Sequence, residues 1–224
     1  MKHSLLIYIA TIFLLAACGQ EELPSGEGVG YLSLENIQLQ AAEEEIIQTR
    51  AVDNDLYVQI DDGTPYSPGN APSTIELSAG THTLKAYTSE NYKPGEAWYY
   101  GETSFNIEEG KVNAVTLEVP MRTFGIRLEL PEGFEDYFSD PTFTVTYGDK
   151  EGTITADGGT YHFLYDSEVS AVSYTLSATN ADGEPLSQEG SRASWPAEKK
   201  PLEAGKIYVI TYDYATKSLN LLAD

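Results

Sequence analysis

An all-β protein is what this sequence predicts, and three observations carry the prediction. Apolar residues alternate at period two in short blocks, the pattern of half-buried antiparallel strands. The blocks are separated by glycine, proline, asparagine and aspartate in combinations that fix turns. The composition, with 16 Tyr and 19 Gly but only 21% charged residues, suits strands and turns better than coiled coil or disorder.

The elements follow in order. Residues 21–30 are polar, with Pro24, Ser25 and three glycines, and read as linker. Strands are then expected over Tyr31 to Leu39, Leu56 to Ile60, Thr74 to Leu77, His82 to Thr88, Trp98 to Ile107 and Val112 to Val119. The turns Asp61-Asp62-Gly63, Ser67-Pro68-Gly69-Asn70, Ala79-Gly80 and Glu109-Gly110 separate them. After Pro120 a second set is expected over Phe124 to Leu130, Thr142 to Tyr147, Gly152 to Thr155, Thr160 to Tyr165, Ser173 to Ala178, Ile207 to Tyr214 and Ser218 to Leu222. No stretch keeps a 3.6-residue apolar period; Ala41 to Ile47 reads as a loop, and Glu132 to Phe138 allows one short helical turn.

The two sets echo each other. Ile107-Glu-Glu-Gly-Lys-Val-Asn-Ala-Val-Thr-Leu-Glu118 matches Leu202-Glu-Ala-Gly-Lys-Ile-Tyr-Val-Ile-Thr-Tyr-Asp213, a turn, a lysine and one alternating strand repeated after about 95 residues. Thr83-Leu84-Lys85-Ala86 echoes Thr175-Leu176-Ser177-Ala178 at a similar offset. Two tandem Ig-like antiparallel β-sandwich domains are therefore expected, residues 30–120 and 121–224, with a single larger sandwich as the competing architecture.

The N-terminus reads as a processing signal. Met1-Lys2-His3 precedes an apolar run from Leu5 to Ala17, about 13 residues and too short for a permanent membrane span. It ends Leu15-Ala16-Ala17-Cys18, which resembles the lipobox of bacterial lipoproteins. Residues 1–17 are then a signal peptide, and Cys18 is the lipidated first residue of an acidic linker over 18–29, an anchor to the outer membrane without a spanning helix. Gly19-Gln20-Glu21-Glu22 is similar to the acidic surface-export signals of lipoproteins and implies a chain exposed at the cell surface.

Charge excludes several functions. With 13 Lys+Arg against 35 Asp+Glu, the net charge of −22 repels phosphate backbones, so nucleic acid is not an expected partner. One cysteine rules out a disulfide scaffold, and two histidines beyond the signal supply too few ligands for zinc. Neither a cofactor nor a metal is expected. His82 and His162 fall in strands at cross-strand surface positions, and no nucleophilic triad is assembled from them, so catalysis is not expected. The cluster Asp53-Asn54-Asp55 with Asp61-Asp62 offers oxygen ligands for calcium but lacks the spacing and glycine of an EF-hand loop; paired turns capping the strand Leu56 to Ile60 explain it as well.

Two binding features remain. The block Tyr92-Lys-Pro-Gly-Glu-Ala-Trp98-Tyr99-Tyr100 collects aromatics beside a loop, with Tyr92, Trp98 and Tyr99 as candidate glycan contacts. Alternation sends Tyr99 and Tyr100 to opposite faces, which favours core or edge packing for part of the block. Arg50, in Gln48-Thr49-Arg50-Ala51, is the first arginine of the chain and a candidate protease site. Cleavage before Ala51 would release the first strand and open a groove for a strand of a neighbouring subunit.

These residues carry a resemblance. The lipobox with its acidic start, Gly30-Tyr31-Leu32-Ser33-Leu34, Leu77-Ser-Ala-Gly-Thr-His-Thr-Leu-Lys-Ala86, and Tyr99-Tyr100-Gly101 before Phe105-Asn-Ile-Glu-Glu-Gly110 resemble a family of surface lipoproteins defined by a domain of unknown function. More distantly the plan is similar to fimbrillin-like pilus subunits and anchors, whose maturation uses arginine-directed cleavage, although this chain shows no identifiable C-terminal donor strand. The resemblance implies a non-enzymatic adhesion or pilus-associated protein, with pilus subunits, other surface proteins or glycans as partners. A carbohydrate-binding module of a polysaccharide-uptake system is the alternative.

Overall fold

The computed structural model describes residues 28–34, 37–38, 55–155, 159–195 and 201–221. The signal segment, Cys18, the loop over Ala41 to Ile47, Arg50, Ala51, Asp53 and Asn54 lie outside the described residues.

The chain is almost entirely β. Its N-terminal half runs β1 (Val29–Ser33), β2 (Ile37–Gln38), β3 (Tyr57–Ile60), β4 (Thr74–Ser78), β5 (Gly80–Tyr87), β6 (Tyr100–Ile107), β7 (Val112–Ala114) and β8 (Leu117–Glu118). The C-terminal half runs β9 (Thr123–Glu129), α1 (Phe134–Tyr137), β10 (Phe138–Tyr147), β11 (Lys150–Thr155), β12 (Thr160–Leu164), β13 (Val172–Asn180), β14 (Pro185–Ser191), β15 (Ile207–Asp213) and β16 (Ser218–Leu221). Helix α1 is the short turn expected over Glu132 to Phe138.

Each half faces its two larger sheets across its own core, and the two-stranded sheet β2-β8 adds Leu117 to the first. Sheets ordered β4-β1-β7 and β3-β5-β6 enclose a cluster that includes Leu32, Val58, Ile75, Leu84 and Ile107. Sheets ordered β12-β9-β15-β16 and β11-β10-β13-β14 enclose a cluster that includes Phe124, Phe143, Phe163, Leu176 and Ile210. The two clusters share no residue: all of the first falls before Pro120 and all of the second after it. Alternation does the sorting, since in β13 the even positions Val172, Tyr174, Leu176 and Ala178 are buried while their neighbours face outward. Burying a side chain such as Leu84 or Leu176 stabilises the fold by about 2 kcal/mol.

The sequence echo reappears as repeated hydrogen bonding. Gly110 N–H donates to the Val29 carbonyl at 2.7 Å, and Gly205 N–H to that of Thr123 at 2.8 Å. The Lys111 carbonyl accepts from Tyr31 N–H at 2.9 Å, and that of Lys206 from Gly125 N–H at 2.8 Å. The same lysines pair with the glutamate three residues earlier, Lys111 with Glu108 and Lys206 with Glu203. Each glycine lies in the left-handed region, at φ 68° and 83°, which is why the turn is written with glycine both times. The strand after each turn runs parallel to the first strand of its half, β7 beside β1 and β15 beside β9. These parallel pairs, with β2 beside β8, depart from the wholly antiparallel pairing expected. A crossing between the two sheets of a sandwich delivers the last strand alongside the first without a tight hairpin.

One further strand was absent from the expected set. Pro185–Ser191 carries a single large apolar residue, Leu186, and pairs at the edge with β13.

Candidate binding site

The aromatic block forms the seam between the halves. From the loop that follows β5, Tyr92 donates its O–H to the His162 carbonyl at 2.7 Å. Gly95 and His162 exchange backbone hydrogen bonds at 3.1 and 3.3 Å, an isolated antiparallel bridge. Gly95 sits at φ 88° against the Tyr161 ring, where a β-carbon would lie 3.2 Å from a ring atom. Trp98 donates its Nε1–H to the Ser89 carbonyl at 2.9 Å and its carbonyl accepts from Arg122 N–H at 2.7 Å. Tyr99 bridges Met121 through the backbone and packs its ring on the N-terminal core. The three candidate glycan residues are thus half-buried, and two of them are bound through their polar atoms to main chain. Burial pushes the Tyr92 hydroxyl above its ordinary range.

Tyr100 faces the other way, as alternation requires, and joins an aromatic row outside sheet β3-β5-β6. Tyr57, Tyr87 and Tyr100 stand opposite one another in register. Their ring centroids are 5.8 and 6.4 Å apart at 15° between planes, and Trp98 continues the row 5.5 Å from Tyr100. Donation to Glu102 pushes the Tyr100 hydroxyl up to about 12. The sequence offered Tyr92, Trp98 and Tyr99 as one group; the structure instead groups Trp98 with Tyr57, Tyr87 and Tyr100. Cross-strand register brings those tyrosines together, and register could not be read from one segment.

His82 Nδ1 lies 2.8 Å from Asp61 Oδ2, and Nε2 lies 2.9 Å from the Ser78 carbonyl. The bond to Asp61 and then that to Ser78 hold the imidazole above its ordinary value. Asp61 also accepts from Thr83 N–H at 2.8 Å, and its carboxyl is held below the usual range, first by the His82 bond. His162 corrects the surface expectation: its strand runs along the seam, its Nδ1 is buried without a hydrogen bond among the described residues, and desolvation lowers its pKa to about 4. Of the proposed calcium cluster, Asp61 is spent on His82 and Thr83, and Asp62 lies 3.8 Å from Lys85 Nζ. Among the described residues no three His, Cys, Asp or Glu side chains form a group able to hold a metal. Nor is any helix there long and apolar enough to cross a membrane.

The second tryptophan is core. Trp195 stacks on Tyr208 with centroids 5.1 Å apart and donates to Tyr174 Oη at 3.2 Å.

Residues 28–221 match the model of the family described as domain of unknown function DUF4493, and the chain belongs to that family. No curated protein matches the sequence. Among solved structures, one from Bacteroides uniformis named for cell adhesion is similar at 12% identity and a TM-score of 0.51, covering 88% of this chain and 99% of its own. A Bacteroides ovatus protein named as an adhesin is similar at 8% identity and a TM-score of 0.48, covering 99% of both chains. A Bacteroides thetaiotaomicron protein named for polysaccharide binding has 12% identity and a TM-score of 0.48, covering 82% of this chain and 91% of its own.

Proposed function

We propose that this chain is a non-enzymatic cell-surface lipoprotein that acts in adhesion, tethered to the outer membrane through lipidated Cys18. In this reading residues 1–17 are removed, 18–29 form the tether, and 30–120 and 121–224 are two tandem β-sandwich domains that meet other surface proteins or glycans. The carrying observation is the match along nearly the full length of the Bacteroides uniformis protein named for cell adhesion. Both ring nitrogens of His82 are engaged, by Asp61 and by the Ser78 carbonyl, and His162 Nδ1 is buried without a hydrogen bond among the described residues, which supports the binding reading. The test compares cells displaying the wild-type chain with cells making Cys18→Ala at equal abundance. Wild-type cells are expected to adhere several-fold better to protein-coated or polysaccharide-coated beads, and equal adhesion overturns the proposal.

A second reading is favoured by one feature of the sheet. Strand β1 is the middle strand between β4 and β7, and it precedes Arg50. Cleavage before Ala51 would remove it, uncovering the place of buried Tyr31 and Leu32 and leaving two strands without their shared partner. An incoming strand from a pilus subunit would fit that slot.

A further inference from the structure

The outer face of sheet β11-β10-β13-β14 is a grid of hydroxyls. Its two central strands present Thr142, Thr144 and Thr146 opposite Ser177, Thr175 and Ser173. None of these six hydroxyls makes a hydrogen bond among the described residues, so each remains both donor and acceptor. Alternation sets the pattern, since the interleaved residues Phe143, Val145, Tyr174 and Leu176 fill the core. Repeats fall about 6.8 Å apart along each strand and about 4.8 Å apart between strands. The edge strands continue the grid with Thr153 and Ser187, and the flanking charges are Glu151 and Glu189.

At one end the grid runs into an open cleft of about 580 Å³, within the range of about 300–1,000 Å³ common for ligand sites. Ala171 and Val172 give it apolar lining, Thr146, Ser173 and Ser191 give it hydroxyls, and Arg192 stands at its wall. Arg192 Nη1 donates to the Ser170 carbonyl at 2.8 Å, which fixes the guanidinium, and no carboxylate pairs with it among the described residues. The other guanidinium N–H groups of Arg192 are thus left as donors at the cleft wall.

We infer that this face and its cleft bind a neutral glycan chain, with Arg192 donating to sugar hydroxyls in the cleft and the threonine-serine grid pairing with successive residues. Matching charge selects the occupant. The acidic body and the flanking glutamates repel polyanions, while a polyhydroxylated neutral polymer loses little on meeting uncharged hydroxyls that can donate or accept. The inference rests on the reading of the chain as a binding protein and names its ligand class.

Affinity electrophoresis of the purified detergent-solubilised protein through gels containing amylopectin, mixed-linkage β-glucan or galactomannan, with polygalacturonate as the anionic probe, tests it. Retention by at least one neutral polymer is expected, unchanged between low and high salt. Arg192→Ala is expected to weaken that retention about tenfold, the loss of one well-placed hydrogen bond. Thr144→Glu, half-buried at the centre of the grid, is expected to abolish it while circular dichroism and a cooperative melt show that the variant is still folded. Tyr57→Ala, on the aromatic row of the other half, is expected to leave it intact. No retention by any neutral polymer, retention by polygalacturonate alone, or retention that follows Tyr57 overturns the inference. So does a dimer in sedimentation that Thr144→Glu dissolves while no polymer binds, because the face then meets a second copy. Purified protein is used throughout, so a failure of surface tethering or of cell adhesion leaves this result readable.

Discussion

Tyr92 in the N-terminal half donates its hydroxyl to the His162 carbonyl in the C-terminal half at 2.7 Å, across a seam also closed by the Gly95 and His162 backbone bridge. Tyr92→Phe keeps the ring and removes the bond. It is expected to cost about 1 kcal/mol in chemical denaturation and to speed amide exchange at Gly95 and His162. Unchanged exchange at those two amides would show that the hydroxyl does not hold the seam.

Gly101 tests the close approach of β6 to β8. A β-carbon there would lie 2.1 Å from the Glu118 carbonyl oxygen, a backbone atom that cannot rotate away. Gly101→Ala is expected to destabilise the fold by about 3 kcal/mol, against a negligible effect from the exposed neighbour Ser104→Ala. Equal melting temperatures for the two variants would contradict the packing described.

The pair His82 and Asp61 gives a pH signature. The His82 pKa is raised above 6.5, so its contribution is complete below that pH and is lost as pH rises through the raised value. Asp61 is lowered from 3.8, so its contribution is complete above that pH and is lost as pH falls through the lower value. The stability difference between wild type and His82→Gln should therefore be largest between pH 3.8 and 6.5 and shrink on either side. About 1 kcal/mol is expected, because Asp61 is half-exposed and water screens the pair. A difference that grows above neutral pH would contradict the pairing.

His162 works in the opposite sense. Its folded pKa of about 4 lies below its ordinary 6.5, so the unfolded chain takes up the proton first and wild type loses stability as pH falls from 6.5 toward 4. The loss is of order 3 kcal/mol over that interval. His162→Gln should remove this slope, seen as a flatter plot of denaturation midpoint against pH. A variant with the wild-type slope would place the titrating group elsewhere.

Much of the fold was legible because β-sandwiches write their cores as alternation. The turn at Gly110 and Gly205 was visible twice, since both sites need a glycine at positive φ followed by a lysine and an alternating strand. Strand β14 was not visible: Pro-Leu-Ser-Gln-Glu-Gly-Ser has no apolar period, and the strand exists because β13 offers it an edge. The threonine run 142, 144 and 146 was in plain sight, but its significance depends on Ser173, Thr175 and Ser177 lying opposite, which only register reveals. Trp98 is half-buried and its ring neighbour is Tyr100, two residues on, while the rest of the row, Tyr87 and Tyr57, comes from strands 11 and 41 residues earlier in the sequence and is reached only through cross-strand register.

The central claim is a tethered surface chain with β1 in place, and the intact mass of the mature protein from its native cell envelope tests it most directly. A chain that begins at acylated Cys18 and retains Arg50 within it is the expected result. A chain beginning at Ala51 would contradict it, since both the tether and the strand between β4 and β7 would be gone and assembly through the vacated slot would take its place.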